Sequence, residues 1–147
     1  MKQPRVFLCK SHPDFHMPAD VDIGRGFDGM AYARRLKECG VDAVVFFGKC
    51  HYGHSYYYTN VGYRHPRLQC DMLAEVINGC RAHEMGVIVY MSVFLDTAAV
   101  QQHPEWRVRA TDTKTDAGFD SGNYLPVCVN SPYRDELFIP QSLEIVT

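Results

Sequence analysis

The chain has 147 residues, 22% charged and 46% hydrophobic, which suits one globular domain over residues 1–147 and excludes a disordered tail. Fifteen Lys and Arg against seventeen Asp and Glu leave a formal charge of -2, so no basic field exists to hold nucleic acid or an anionic membrane. The longest apolar stretches, residues 41–48 and 87–95, fall far short of the roughly 20 residues that a membrane helix needs, and residues 1–9 lack the layout of a secretory signal; the expectation is a soluble, cytoplasmic chain.

Residues 5–9 form a short apolar run after Pro4 and predict a first strand. A helix over 27–39 follows, with Asp28 as N-cap, Met30, Ala33 and Leu36 on one apolar face, and Gly40 at the left-handed stop. Residues 41–47 are β-branched and aromatic almost without polar interruption, as a parallel strand covered on both faces requires. The pattern then repeats. A helix over 71–85 carries Met72, Leu73, Val76, Ile77 and Cys80 on one stripe, Gly86 ends it, and 87–94 read as another buried strand. A third helix begins at Ser131, with Pro132 in its first position, Asp135 and Glu136 in its first turn, and Pro140 as a kink or restart.

The order β-α-β-α-β-α implies parallel strands joined by right-handed crossovers. The connections are lopsided: Gly40 and Gly86 lead straight into strands, whereas the strand-to-helix loops run over 48–69 and 96–130. Loops of that length in a compact domain are functional or disordered. They leave the carboxyl ends of parallel strands, where α/β proteins place their ligands. Three such units make only part of a (β/α)8 TIM barrel of about 250 residues, and the chain stops after a helix, where a fourth strand is expected, so the pattern fits either a small open sheet or the front of a longer barrel.

Within the first long loop, Lys49, Cys50, His51, Tyr52, Gly53 and His54 bring a cation, two imidazoles and a phenol together at a strand end. Such groups hydrogen-bond a polar ligand while aromatics, here Tyr56, Tyr57, Tyr58 and Tyr63, cover its apolar faces; those tyrosines serve equally to pack the loop on the sheet. A zinc site is the alternative, since Cys50, His51, His54, His12 and His16 are all metal-ligand types, but H-x-x-H in a loop without a paired Cys or acidic partner is a weak signature. Asp96 follows the third strand and either contacts a hydroxyl or caps a helical turn over 97–100. Asp14, Asp112, Asp116 and Asp120 have turn-forming neighbours and read as solvated. No G-x-S-x-G elbow, phosphate-binding loop or dinucleotide fingerprint is present, so no cofactor is expected. Cys50 and His51 do not form a nucleophile–base pair, because adjacent residues on an extended chain point apart. The six cysteines, with no C-x-x-C pair, are expected to be reduced thiols.

The strand at 41–47 with Lys49-Cys50-His51-Tyr52-Gly53, the strand at 87–94, His103-Pro104-Glu105-Trp106-Arg107 and Cys128-Val129-Asn130-Ser131-Pro132-Tyr133-Arg134 together resemble the amino-terminal part of glycosyl-hydrolase-like TIM barrels. The resemblance runs from about Phe27 onward and is to the hypothetical glycosyl hydrolase families related to α-L-fucosidases and to β-galactosidases that open a helix with Asn-Ser-Pro-x-Tyr-Arg. In fucosidases a Lys-His-His-Asp-Gly segment at the second strand end helps bind the sugar. Lys49, His51 and Gly53 match its first, third and fifth places, and Cys50 and Tyr52 depart from it. The resemblance implies a carbohydrate substrate contacted by Lys49, His51, Tyr52, His54, Asp96 and Asn130. It also implies catalytic carboxylates beyond residue 147, the nucleophile at a fourth strand end and the acid/base later still. A non-catalytic carbohydrate-binding or zinc-binding module is the rival reading, and a chain that self-associates through an exposed parallel edge is the third.

Overall fold

A computed structural model describes residues 6–109 and 124–147. Arg5 of the expected first strand and the loop aspartates Asp112, Asp116 and Asp120 lie outside the described residues. Strands β1 (Lys10–Ser11), β2 (Ala43–Lys49) and β5 (Gly86–Met91) form a parallel layer with β2 in the middle. Short strands β3 (His54–Ser55) and β4 (Tyr63–Arg64) extend it, β3 antiparallel to the end of β2 and β4 parallel to β3. Helices α1 (Gly29–Glu38), α2 (Met72–Ala82), α3 (Thr97–Gln102) and α4 (Ile139–Val146) complete a mixed α/β fold. Among the described residues no helix is long and apolar enough to cross a membrane.

The first strand lies later than the sequence predicts. Ladder pairing with β2 begins only at Lys10, opposite Ala43, because upstream the Asp42 carboxylate accepts from the amides of Leu8 and Cys9 and displaces a regular ladder. Helix α1 starts as expected, Asp28 accepting from the Ala31 amide at 3.0 Å, and Gly40 takes φ +79° just past its end. Its buried face is Gly29 and Ala33, while Met30 is exposed. The face is set by helix–helix contact. A methyl on Gly29 would overlap the Glu75 backbone and one on Gly79 the Gly29 carbonyl, so two glycines let α1 and α2 touch backbone to backbone.

Helix α2 is capped by Asp71, which accepts from the Ala74 amide, and buries Leu73, Val76 and Cys80. Its left-handed stop is Glu84 (φ 53°) and not Gly86. Gly86 is the first residue of β5, where a side chain would strike the Phe7 ring, so its smallness serves packing. At the last helix, Arg134–Phe138 form a π-helical turn that leads into α4. Pro140 has no amide proton to give, and the widened turn before it removes the clash with the preceding carbonyls.

Alternation along β2 divides the interior. Val44 and Phe46 pack with Ala33, Leu73, Val76 and Cys80 on the helix side, while Phe47 joins Ile23, Cys50 and Tyr56 on the other. A third cluster, Ala99, Val100, Trp106, Val127, Tyr133 and Leu137, lies beneath α3.

Candidate functional site at the carboxyl ends of the parallel strands

The register between β2 and β5 changes at Gly48. Phe47 pairs with Tyr90, but Lys49 pairs with Met91, so two residues of β2 oppose one of β5. A Cβ on Gly48 would press on Val89 and Met91, which is why the bulge falls on a glycine. Partners in a parallel ladder share a face, so the bulge separates Lys49 from the face that carries Phe47 and Tyr90. Two neighbouring sites result.

The first is buried. Lys49 is 1% exposed and Asp96 0%; Lys49 Nζ donates to Asp96 Oδ2 at 2.7 Å and to the Tyr133 hydroxyl at 2.7 Å, and that hydroxyl donates to the same carboxylate oxygen at 3.0 Å. The rings of Tyr133 and Phe138 flank the ammonium, with centroids 5.1 and 5.4 Å away. Burial lowers the Lys49 pKa and the Asp96 charge opposes that; burial and then Asp96 push the Tyr133 phenol up. Asp96 Oδ1 accepts from the Ala99 amide at 2.9 Å and caps α3, as the helix-capping reading of this residue predicts. Both carboxylate oxygens are thus engaged inside the protein. The capped helix in turn anchors the loop after β2, because the Thr97 and Ala98 amides donate to the His51 and Tyr52 carbonyls at 3.4 and 2.9 Å. The two long excursions therefore meet at one end of the sheet. Gly53, at φ +84°, lies against Asp96 Oδ1, where any side chain would overlap it.

The second site is half-buried. His51 Nε2 and the Tyr90 hydroxyl are 2.8 Å apart, a hydrogen bond between the ends of two adjacent parallel strands. The His16 ring stacks on His51 at a centroid distance of 3.7 Å, and Tyr124 meets His51 and Tyr52 edge-on at 5.2 and 4.8 Å. His12 lies 5.8 Å from the Tyr90 ring. Burial lowers the pKa of His51, helped by His16 and opposed by Asp14. The site is thus mainly aromatic, with donors and acceptors at its floor and the exposed Asp14 carboxylate beside it, 3.1 Å from His16 Nε2.

The remaining predicted residues fall elsewhere. His54 turns inward, its ring 5.2 Å from that of His65, its Nδ1 without a hydrogen-bond partner; burial, then His65, lowers its pKa to about 4. Asn130 stands apart, exposed in a surface hollow lined by residues 129–132 and 134–136. Tyr56 and Tyr57 are buried and pack the loop, as the simpler reading of the tyrosines has it, while Tyr58 is exposed. Among the described residues no group of three or more His, Cys, Asp or Glu is placed to hold a metal ion, so the zinc alternative is not favoured. Tyr90, Tyr124 and Tyr133 escape the sequence reading as site residues. For Tyr90 the signal was its place two residues beyond Ile88 on the same strand face; for Tyr133 it was a phenol in a helix opening.

The fold is a mixed α/β one whose polar and aromatic side chains gather at the carboxyl ends of its parallel strands, where α/β proteins place ligands. The chain belongs to the family described as hypothetical glycosyl hydrolase 6, whose model matches residues 28–147. Among solved structures it is similar to α-L-fucosidase isoenzyme 2 from Paenibacillus thiaminolyticus, at 30% identity and a TM-score of 0.81 over 94% of this chain. The chain spans about a fifth of that fucosidase, 21% of its length. No curated protein matches.

Proposed function

We propose that residues 1–147 form the first three β/α units of a (β/α)8 glycoside hydrolase barrel and supply one wall of its sugar-binding mouth. The observation that carries this reading is the His51–Tyr90 hydrogen bond at 2.8 Å, which bridges two parallel strand ends inside an aromatic frame. A neutral imidazole and a phenol each donate and accept, which suits sugar hydroxyls. Tyr52 and Tyr124 offer ring surface to the apolar faces of a pyranose. Lys49 and Asp96 act from behind, holding the loop that presents His51 and Tyr52.

Glycosidic hydrolysis takes two carboxylates about 5–10 Å apart across the scissile bond. Asp96 has both oxygens engaged in the interior and is not free for that role; since this chain spans 21% of the fucosidase it resembles, we assign hydrolysis in the full-length protein to carboxylates outside this segment. The fucosidase likeness makes L-fucose the first probe. Titrated into the chain, it should shift the ring signals of His51, Tyr90 and Tyr124 in NMR spectra and should lose affinity about tenfold in His51→Ala, which removes a hydrogen-bonding group worth about 1.4 kcal/mol. Ring signals unmoved by L-fucose, D-galactose and their aryl glycosides would defeat the reading.

A further inference from the structure

We propose that His16, held from behind by Asp14, is a positioning residue that fixes His51 in its ligand-facing pose and releases it when His16 takes up a proton. The proposal rests on the reading of this mouth as the ligand site. The His51 backbone amide donates to His16 Nδ1 at 3.1 Å, and His16 Nε2 faces Asp14 Oδ1 at 3.1 Å. A ring that accepts at Nδ1 carries its proton on Nε2, so this geometry requires a neutral His16 whose Nε2–H donates to Asp14. The two imidazoles are stacked at 3.7 Å and 21°. Protonation of His16 would set an N–H against the His51 N–H and place a cation against the His51 ring. It breaks the contact rather than weakening it.

The groups facing this pair come from three directions. His12 and Asp14 lie on the same segment as His16; Cys50 and Tyr52 flank His51; Tyr90 and Tyr124 close the remaining sides. For His16, burial lowers the pKa, Asp14 opposes it and His12 adds to it, the same direction as the acceptor geometry at Nδ1. The segment bearing His16 has independent anchors, since the Met17 amide donates to the Tyr56 hydroxyl, that hydroxyl donates to the Phe15 carbonyl, and the Phe15 ring stacks on Tyr56 at 5.1 Å. Substitution at His16 therefore leaves the segment in place and changes what His51 meets.

The test uses the full chain labelled with nitrogen-15. In the wild type, the His51 amide proton should resonate downfield as a bonded amide and move upfield on acidification, with the midpoint of the His16 ring and below the ordinary histidine value of about 6.5. His16→Asn keeps an acceptor at the Nδ1 position, so the amide should stay bonded through that range. His16→Phe keeps the stacked ring without the acceptor, so the amide should be upfield at every pH, and L-fucose affinity should drop about fivefold to tenfold. Asp14→Asn should lower the His16 midpoint further. An amide signal with the same pH course in the wild type, His16→Asn and His16→Phe overturns the proposal. If the amide behaves as described but no sugar perturbs Tyr90 or Tyr124, the ligand reading fails and the positioning relation stands, so the two failures are told apart.

Discussion

Replacing Asp96 with Asn removes one charge from the buried cluster and puts an amide nitrogen, a donor, where Oδ2 accepts from Lys49 and Tyr133. Asn is as good an N-cap as Asp, so the bond from the Ala99 amide to the side-chain oxygen survives, and so does the shape of the site. What is lost is the charged partner of the Lys49 ammonium, 2.7 Å away, together with the acceptor of the Tyr133 hydroxyl. At an effective dielectric of about 20, that pair attracts by about 6 kcal/mol. Only part of this reaches the measured stability, because Lys49 keeps the Tyr133 hydroxyl and can shed its proton; breaking a buried pair by removing one partner costs about 3–5 kcal/mol. Urea unfolding followed by the fluorescence of Trp106, the single tryptophan, which is buried in the same cluster as Tyr133, should show a loss of that size at pH 7. The sign with pH is fixed by Lys49. Burial already holds its pKa below the ordinary value, and deleting Asp96 removes the influence that opposes this. Between the lowered folded value and the unfolded value of about 10.4, the unfolded chain binds more protons, so stability contributed by this group rises with pH. The deficit of Asp96→Asn relative to wild type should therefore shrink as pH climbs towards about 10. Adding Lys49→Met should restore stability by about 2–3 kcal/mol at pH 7, since removing both charges is far less harmful than removing one. A variant within about 0.5 kcal/mol of wild type, or a deficit that does not narrow in alkali, refutes this account of the cluster.

Other perturbations isolate single features. His54→Asn should flatten the fall in stability between pH ~6.5 and about 4, because burial, with His65 adding to it, lowers the native imidazole to about 4 and the unfolded chain takes up its proton first; an unchanged slope in acid urea titrations would contradict it. Gly79→Ala should destabilise by about 1–3 kcal/mol despite the better helix propensity of Ala, since the added methyl meets the Gly29 carbonyl, a backbone atom that cannot swing aside. Gly53→Ala combines a left-handed φ with overlap on Asp96 Oδ1; thermal unfolding should show a loss of at least about 1–3 kcal/mol. Glu144 accepts from the Tyr57 and Thr59 hydroxyls and the Asn60 amide, and although burial works the other way these bonds hold its carboxyl below the usual range. Glu144→Gln should accelerate hydrogen exchange at Asn60, and in the wild type the same acceleration should set in as pH falls through the lowered folded value.

Much of the framework was legible because it rests on local rules. Asp28 and Asp71 announce two helices through side-chain caps, and the uninterrupted run into Phe47 announces a strand covered on both sides. What failed to show was decided between segments. Met30 fits an apolar helical stripe, yet α1 turns Gly29 and Ala33 inward because α2 offers Gly79 at the crossing. Gly86 looks like a helix stop, yet its smallness answers to Phe7, and Glu84 takes the left-handed turn.

The site shows the same division more sharply. Lys49 and His51 are two positions apart, and an unbroken strand would point both at the same ligand. The register shift at Gly48 sends Lys49 inward to Asp96 and Tyr133, and because the strand ends there, the turn that follows, closed by the Gly53 amide on the Cys50 carbonyl, leaves His51 beside Tyr90. No periodicity encodes that shift, because a glycine at a strand end is equally a turn residue. The mouth draws His16, His51, Tyr90 and Tyr124 from four separate stretches, so only folding brings them together. Charge and position also carry different information here. Lys49 and Asp96, the charged residues the sequence singles out, are each other's partners in the interior, while the groups beside His51 are rings and the exposed Asp14 carboxylate. On the function proposed above, a neutral and amphipathic sugar would meet imidazole and phenol as hydroxyl partners, with Lys49 and Asp96 paired behind them and only Asp14 presenting a charge among the residues named at the site.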